Sequence, residues 1–171
     1  GHLSIFGYDI EKEYPGRGYF EALGAGIKLA KGEIAFRTNL ATVRQEGRHL
    51  IVTDRRAGRI SGSQAEELYN TLNEAIKEEG LPAEVKHTLE HRGVLILRGE
   101  DLIGAITDTD PHELGKPILK AEPWRGLPEN LYNQAENAAK IINRITEISY
   151  RVLDKNNINV ERRKSGLPPA N

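Results

Sequence analysis

The stretch "EIAFRTNLATV", residues 33–43, alternates in a way that decides the fold. Ile34, Phe36, Thr38 and Leu40 point to one side, and Ala35, Arg37, Asn39 and Ala41 to the other. That two-residue period is a β-strand with two unlike faces. Downstream, "HLIVTD" (49–54) reads as a second strand, and "QEGR" (45–48) as the hairpin turn between them, with Gly47 where a positive φ is needed. The period then changes. In "SQAEELYNTLNEAIKEEGLP" (63–82), Ala65, Leu68, Tyr69, Leu72 and Ile76 form a helical stripe. Ser63 and Glu66 make a capping box, Gly80 closes the helix and Pro82 prevents its continuation. Two more strands follow, "AEVKHTLE" (83–90) and "GVLILRG" (93–99), with "HRG" at their junction.

After a polar loop, "AITDTDPHELGKP" (105–117), a long helix is expected from about Pro128 to Leu153. Leu131, Ala135, Ala138, Ile142, Ile145 and Val152 sustain its apolar stripe. The order is strand, strand, helix, strand, strand, helix. Hairpin connections make the pairing mostly antiparallel, so the fold class is α+β, with helices packed on one face of the sheet. The other face or its rim is left for function. The glycine-rich residues 1–32 read as a connecting segment, residues 33–155 as the folded domain, and the polar, proline-terminated residues 156–171 as a linker or exit strand.

Composition narrows the function. The chain has 171 residues, 38% apolar and 29% charged, which fits a single globular domain. Its 24 Lys+Arg against 25 Asp+Glu argue against a nucleic-acid-binding face, and no apolar run approaches a membrane span. With no cysteine, disulfides and thiolate chemistry are excluded, and the absence of an export signal favours the cytoplasm. No methionine occurs, even at position 1, which predicts a segment of a longer chain.

Against this neutral background "VTDRRAGRIS" (52–61) concentrates Arg55, Arg56 and Arg59 between a strand and a helix start. Guanidinium groups match phosphate or carboxylate bidentately, and a helix N-terminus adds free N–H groups. The alternative is an exposed loop whose arginines pair with Asp54 and nearby glutamates. Arg37 and Asn39 share the polar face of their strand, and His91 with Arg92 stands where the second hairpin's strands meet. In "TDTDPH" (107–112), Asp108, Asp110 and His112 alternate with other residues. They could ligate a metal, move protons, or form Asx turns before Pro111. No phosphate-binding glycine loop, dinucleotide fingerprint or nucleophile elbow is present.

With those residues in place, the chain resembles the archaeal-type cofactor-independent phosphoglycerate mutases of the alkaline phosphatase superfamily. The resemblance lies in "GHLSIFGYD", "YPGRGYFEALGAG", "IAFRTNLATV", "DRRAGRI", "HRGVLILRG", "ITDTDPH" and "NVERRKSGLPPAN", which occur in the family's order from first residue to last. Members of that family are longer, and a second domain is inserted into their metallophosphatase core. The resemblance implies that residues 33–155 are this inserted substrate domain and that residues 1–32 and 156–171 are its junctions with the core. It implies a nucleophilic Ser or Thr ahead of Gly1, two divalent metals (Mn, Mg, Zn or Co type) held by the core, and no metal ligands in this chain. The implied reaction is the interconversion of 3- and 2-phosphoglycerate in glycolysis and gluconeogenesis, with the isolated chain inactive.

On that resemblance, Arg37, Asn39, Arg55, Arg56, Arg59 and Arg92 are expected to clamp phosphoglycerate, with Asp110 orienting an arginine or His112. Asp108, His112 and His91 are expected to handle protons. Two other readings stay open: a related phosphotransferase acting on another small metabolite such as homoserine, and a module that contacts a protein partner.

Overall fold

In the computed structural model, residues 17–171 are described, apart from the side chain of Arg17. The first half of the expected junction, residues 1–16, lies outside the described residues. Along the chain run α1 (Arg17–Gly24), β1 (Glu33–Asn39), β2 (Thr42–Glu46), β3 (His49–Asp54), α2 (Gly62–Glu78), β4 (Ala83–Leu89), β5 (Arg92–Arg98), α3 (Glu129–Leu153) and α4 (Asn157–Lys164). All strand pairing is antiparallel: one sheet has the order β1-β5-β4 and a second is the β2-β3 hairpin. The fold is therefore α+β, as the alternation and hairpin spacing indicate.

β5 lies at the centre because both its faces are apolar. Leu95 and Leu97 join Leu68, Leu72 and Ile76 of α2 and Ala135, Ala138, Ile142 and Ile145 of α3 in the main core. Val94 and Ile96 face the other way and pack with Ala22 of α1, Ala35, Ile27 and Leu29. The two long helices thus cover one face, and the short α1 covers part of the other. Residues 17–24 are a packing element, not only a connection. Their contact with the sheet is made by two small residues, Gly18 against the backbone of Ala35 and Phe36, and the buried Ala22.

The stretch 33–43 is strand-like throughout but is shared between two sheets. Its alternation holds: Ala35 belongs to the α1 side and Phe36 to the main core. At Leu40 the chain leaves the first sheet, with Leu40 N donating to His91 O (2.8 Å), and Thr42 opens the second. Gly47 (φ 61°) forms the expected hairpin turn. The cap of α2 is Ser61, two residues before the expected Ser63, with its hydroxyl accepting from Gln64 N. The segment 156–171 is not an exit strand. It forms α4, whose Asn159 and Arg162 are buried.

Irregular segments are pinned by asparagine side chains. An amide has one acceptor and donors, so it can pair both the N–H and the C=O of one residue, as a strand would. Asn73 of α2 does this to Val85 (2.7 and 2.6 Å) at the outer edge of β4. Asn143 of α3 does it to Ala121 (2.8 and 2.9 Å). Asn159 does it to Ala170 (2.7 and 2.9 Å) and also donates to Leu153 O (2.8 Å). Asn171 does it to Val43 (2.9 and 3.4 Å). The long loop between β5 and α3 is held the same way, by backbone bonds from Val52 N to Lys116 O and Ile118 N to Leu50 O along β3, and from Thr107 N to Glu122 O. Among the described residues no helix is long and apolar enough to cross a membrane.

Asn159 is fully buried. Replacing it with alanine strands both polar groups of Ala170 and removes one of the two donors to Leu153 O, so Asn159→Ala is expected to destabilise the fold by about 2–4 kcal/mol. Urea unfolding would read this directly. A loss under about 0.5 kcal/mol, the level of an ordinary surface change, would show that water or rearrangement replaces the clasp.

Candidate functional site

The arginine loop between β3 and α2 has an unusual backbone. Ala57 (φ 49°), Gly58 (φ 60°) and Arg59 (φ 53°) are three consecutive residues in the left-handed region. That region is disfavoured for alanine and arginine. The Asp54 carboxylate holds the turn by accepting from Arg56 N (2.7 Å) and Gly58 N (3.0 Å). Ala57 is turned inward and fully buried, while Arg55, Arg56 and Arg59 stay exposed. Asp54 therefore serves the backbone and pairs with no arginine among the described residues.

Arg55 leads to the loop 107–112. Its Nη2 donates to Asp110 Oδ2 (2.6 Å) and lies 3.1 Å from His112 Nδ1. Asp110 Oδ1 accepts from His112 N (2.8 Å), which is the Asx turn that the sequence allows. His112, itself at φ 60°, places Nε2 3.2 Å from Asp108 Oδ2. Because Nδ1 faces an arginine donor, it is the acceptor nitrogen of the imidazole form, and the Nε2 proton points to Asp108. Partial burial alone would raise the Asp110 pKa. The hydrogen bonds from Arg55 and the His112 backbone more than offset this, and the carboxyl sits below its ordinary value.

Arg56 belongs to a second group, around His91. Glu90 (φ 53°) turns the β4-β5 hairpin so that His91 is only 7% exposed. The carbonyl of His91 accepts from Leu40 N and, more weakly, from the Tyr69 hydroxyl (3.4 Å). Burial lowers the His91 pKa most. The charge of Arg92 adds to this, Glu90 opposes it, and Arg56 and Arg37 add further. Three arginines from three segments thus act on one imidazole. In the β1-β5 register Asn39 stands opposite Arg92 and Arg37 opposite Val94. Asn39 and Arg92 thus share the face of the sheet that carries Arg37. Arg92 Nε is buried with no hydrogen-bond partner among the described residues. Arg37 has only a distant carboxylate, Glu21 of α1, at 3.9 Å.

The expected residues therefore form two groups joined by neighbours in sequence. Arg55, Asp108, Asp110 and His112 form one, and Arg37, Asn39, Arg56, His91 and Arg92 the other. Arg59 joins neither and makes no side-chain hydrogen bond or ion pair among the described residues. Sequence reading missed Glu21, on a helix that it read as a connection, and Arg162, hidden in the charged run "ERRK". Arg162 Nη2 donates to Ala57 O (2.8 Å) beneath the arginine loop. A single Asn-x-x-Arg spacing on a short helix was the only available signal.

The pair Asp108 and Asp110 with His112 does not fit a metal ion. Asp110 Oδ2 already receives a guanidinium, whose charge would repel a cation. Among the described residues no group of three or more His, Cys, Asp or Glu is placed to hold one. The chemistry the two groups can perform is anion binding, with the hydrogen-bonded imidazole of His112 at hand for protons.

Comparison with known proteins identifies the family. The family model for 2,3-bisphosphoglycerate-independent phosphoglycerate mutase matches residues 1–159. A relative bearing that name from Ignicoccus hospitalis is 47% identical over 171 residues, covering 99% of this chain and 40% of the relative. One from Metallosphaera sedula is 46% identical, covering 99% of this chain and 39% of the relative. The solved cofactor-independent phosphoglycerate mutase of Thermoplasma acidophilum superposes with a TM-score of 0.75 at 36% identity, over 99% of this chain and 43% of that one. The chain thus spans about two fifths of the length of the curated relatives it matches. Read with the arginine groups and the antiparallel α+β frame that carries them, these similarities place the chain in the 2,3-bisphosphoglycerate-independent phosphoglycerate mutase family.

Proposed function

We propose that this chain is the substrate-gripping part of a cytoplasmic phosphoglycerate mutase that interconverts 3- and 2-phosphoglycerate. Residues 33–155 are the domain inserted into a metallophosphatase core, and residues 1–32 and 156–171 are its junctions. The observation that carries this reading is that Arg37, Asn39 and Arg92 share one face of the sheet beside the buried His91. Arg92 has an unpartnered buried Nε, and Arg37 only a long contact to Glu21. Cationic groups short of counter-ions in the free protein suit a ligand with both a phosphate and a carboxylate. The Arg55–Asp110–His112–Asp108 array beside them suits proton movement between glycerate hydroxyls. Arg55 fixes the ring, Nε2 faces Asp108, and Asp110 keeps both Arg55 and the His112 backbone in place.

The two divalent ions and the nucleophile are assigned to the core on the family resemblance. They would supply the phosphoryl transfer, and this chain would hold glycerate while it turns. On its own the chain is expected to show no mutase turnover with any added divalent metal. Turnover surviving rigorous purification would move the nucleophile into this segment.

In the full-length protein, Arg37→Ala or Arg56→Ala is expected to lower mutase activity on the order of 100-fold. Hydrolysis of a generic phosphate ester, which needs only the core, should change far less. Equal loss of both activities would remove these arginines from the substrate clamp.

His91 offers a second test. Its lowered pKa means that the folded state resists a proton that the unfolded chain accepts, so the protein loses stability as pH falls below the ordinary imidazole value of about 6.5. A bound dianion would raise the His91 pKa, and binding would therefore tighten as pH falls. Imidazole chemical shifts followed against pH, with and without 3-phosphoglycerate, should show the midpoint move up. An unmoved midpoint in the saturated protein would separate His91 from the anion site.

A further inference from the structure

Arg162 of α4 is 4% exposed, and its guanidinium reaches three separate parts of the chain. Nε donates to Pro168 O (2.9 Å), Nη1 to Gln64 Oε1 (2.9 Å) near the start of α2, and Nη2 to Ala57 O (2.8 Å) in the arginine loop. All three acceptors are neutral. Among the described residues no carboxylate pairs with it, and burial lowers its pKa. A buried charge without a counter-ion is unfavourable, so packing alone does not explain an arginine here. What arginine offers is reach with a rigid fork of donors able to hold several acceptors at once.

The loop above it needs holding. Ala57, Gly58 and Arg59 all lie in the left-handed region, which persists in non-glycine residues only where the surroundings enforce it. Asp54 secures the loop from its N-terminal side. From below, Ala57 O rests on Arg162, and there is no free space at Gly58. A Cβ there would stand 2.9 Å from Pro168 Cδ and 3.1 Å from Arg162 Nη2.

We infer that Arg162 is a positioning residue for the anion site: it clasps the arginine loop to Pro168, so that Arg55 and Arg56 are aimed by the chain's return segment. This rests on the substrate-clamp reading of those arginines. It makes the return segment more than a tether, since any shift at Pro168 is passed through the guanidinium to Ala57, next to Arg56.

The test uses the full-length protein with labelled arginine and histidine side chains. Arg162→Lys keeps the charge but cannot span three acceptors. In the folded variant the Nε–Hε signals of Arg55 and Arg56 should move, and the His91 midpoint should rise as the charge of Arg56 withdraws from the field set by Arg92, Glu90 and Arg37. The KM for 3-phosphoglycerate should rise about tenfold to a hundredfold. Signals, midpoint and KM all matching the unsubstituted protein would overturn the role. Should Arg162→Lys fail to fold, Gln64→Ala decides by the same readouts, because it removes the acceptor of Nη1 and leaves the arginine loop itself unchanged; smaller shifts of the same sign are expected, and the absence of any shift would overturn the role. If the unsubstituted protein does not turn over 3-phosphoglycerate, the substrate reading fails. The arginine signals and the His91 midpoint then still report whether Arg162 positions the loop.

Discussion

Backbone groups that have left regular structure must still be paired, and here side-chain amides do the pairing. Asn73, Asn143, Asn159 and Asn171 each take both polar groups of one residue: Ala121 and Ala170 in irregular segments, and Val85 and Val43 on the open edges of β4 and β2. A buried, unpaired N–H or C=O costs roughly 1–3 kcal/mol, so without these clasps the long loop before α3 and the return segment could not lie against the core. They let a small sheet support large irregular segments, and those segments carry the candidate chemistry.

The placement of that chemistry follows from β5. With both faces apolar, the strand offers polar residues a place only at its ends. Arg98 at one end is neutralised by Glu33 and Glu84, which are held below their ordinary pKa by it and by neighbouring hydrogen bonds. Arg92 at the other end has no such partner among the described residues, and the arginine loop and β1 bring Arg56 and Arg37 to the same end of the molecule. The two ends of one strand thus differ in charge balance: one is a closed ion-pair network, and the other keeps positive charge unspent. A structural role needs the first, and capture of an anion needs the second.

The backbone says the same thing independently. All four non-glycine residues with positive φ among the described residues are Ala57, Arg59, Glu90 and His112. Each lies in one of the three loops that hold the candidate groups. Strain of this kind fixes side-chain direction before a ligand arrives, which lowers the entropy lost on binding.

Much of this was legible in the sequence because it is local. The two-residue period of 33–41, the stripe of α2, the Gly47 turn and the long stripe of α3 report burial within one element, and each holds. The motif stretches were enough to suggest the family, and the arginines and the "TDTDPH" residues were marked by residue type alone. The misses are non-local. The split of 33–43 between two sheets depends on where β5 and β3 lie, and α1 packs only because β5 is apolar on its second face. Asn159 and Arg162 read as solvated in a polar run, since nothing in a sequence tells that a polar side chain will meet backbone acceptors from segments far along the chain. The sequence determined the elements and the cationic inventory through short-range periodicity. Only the tertiary structure decided which arginines keep their charge unbalanced and which are spent on carboxylates, because charge balance is a matter of distance through space.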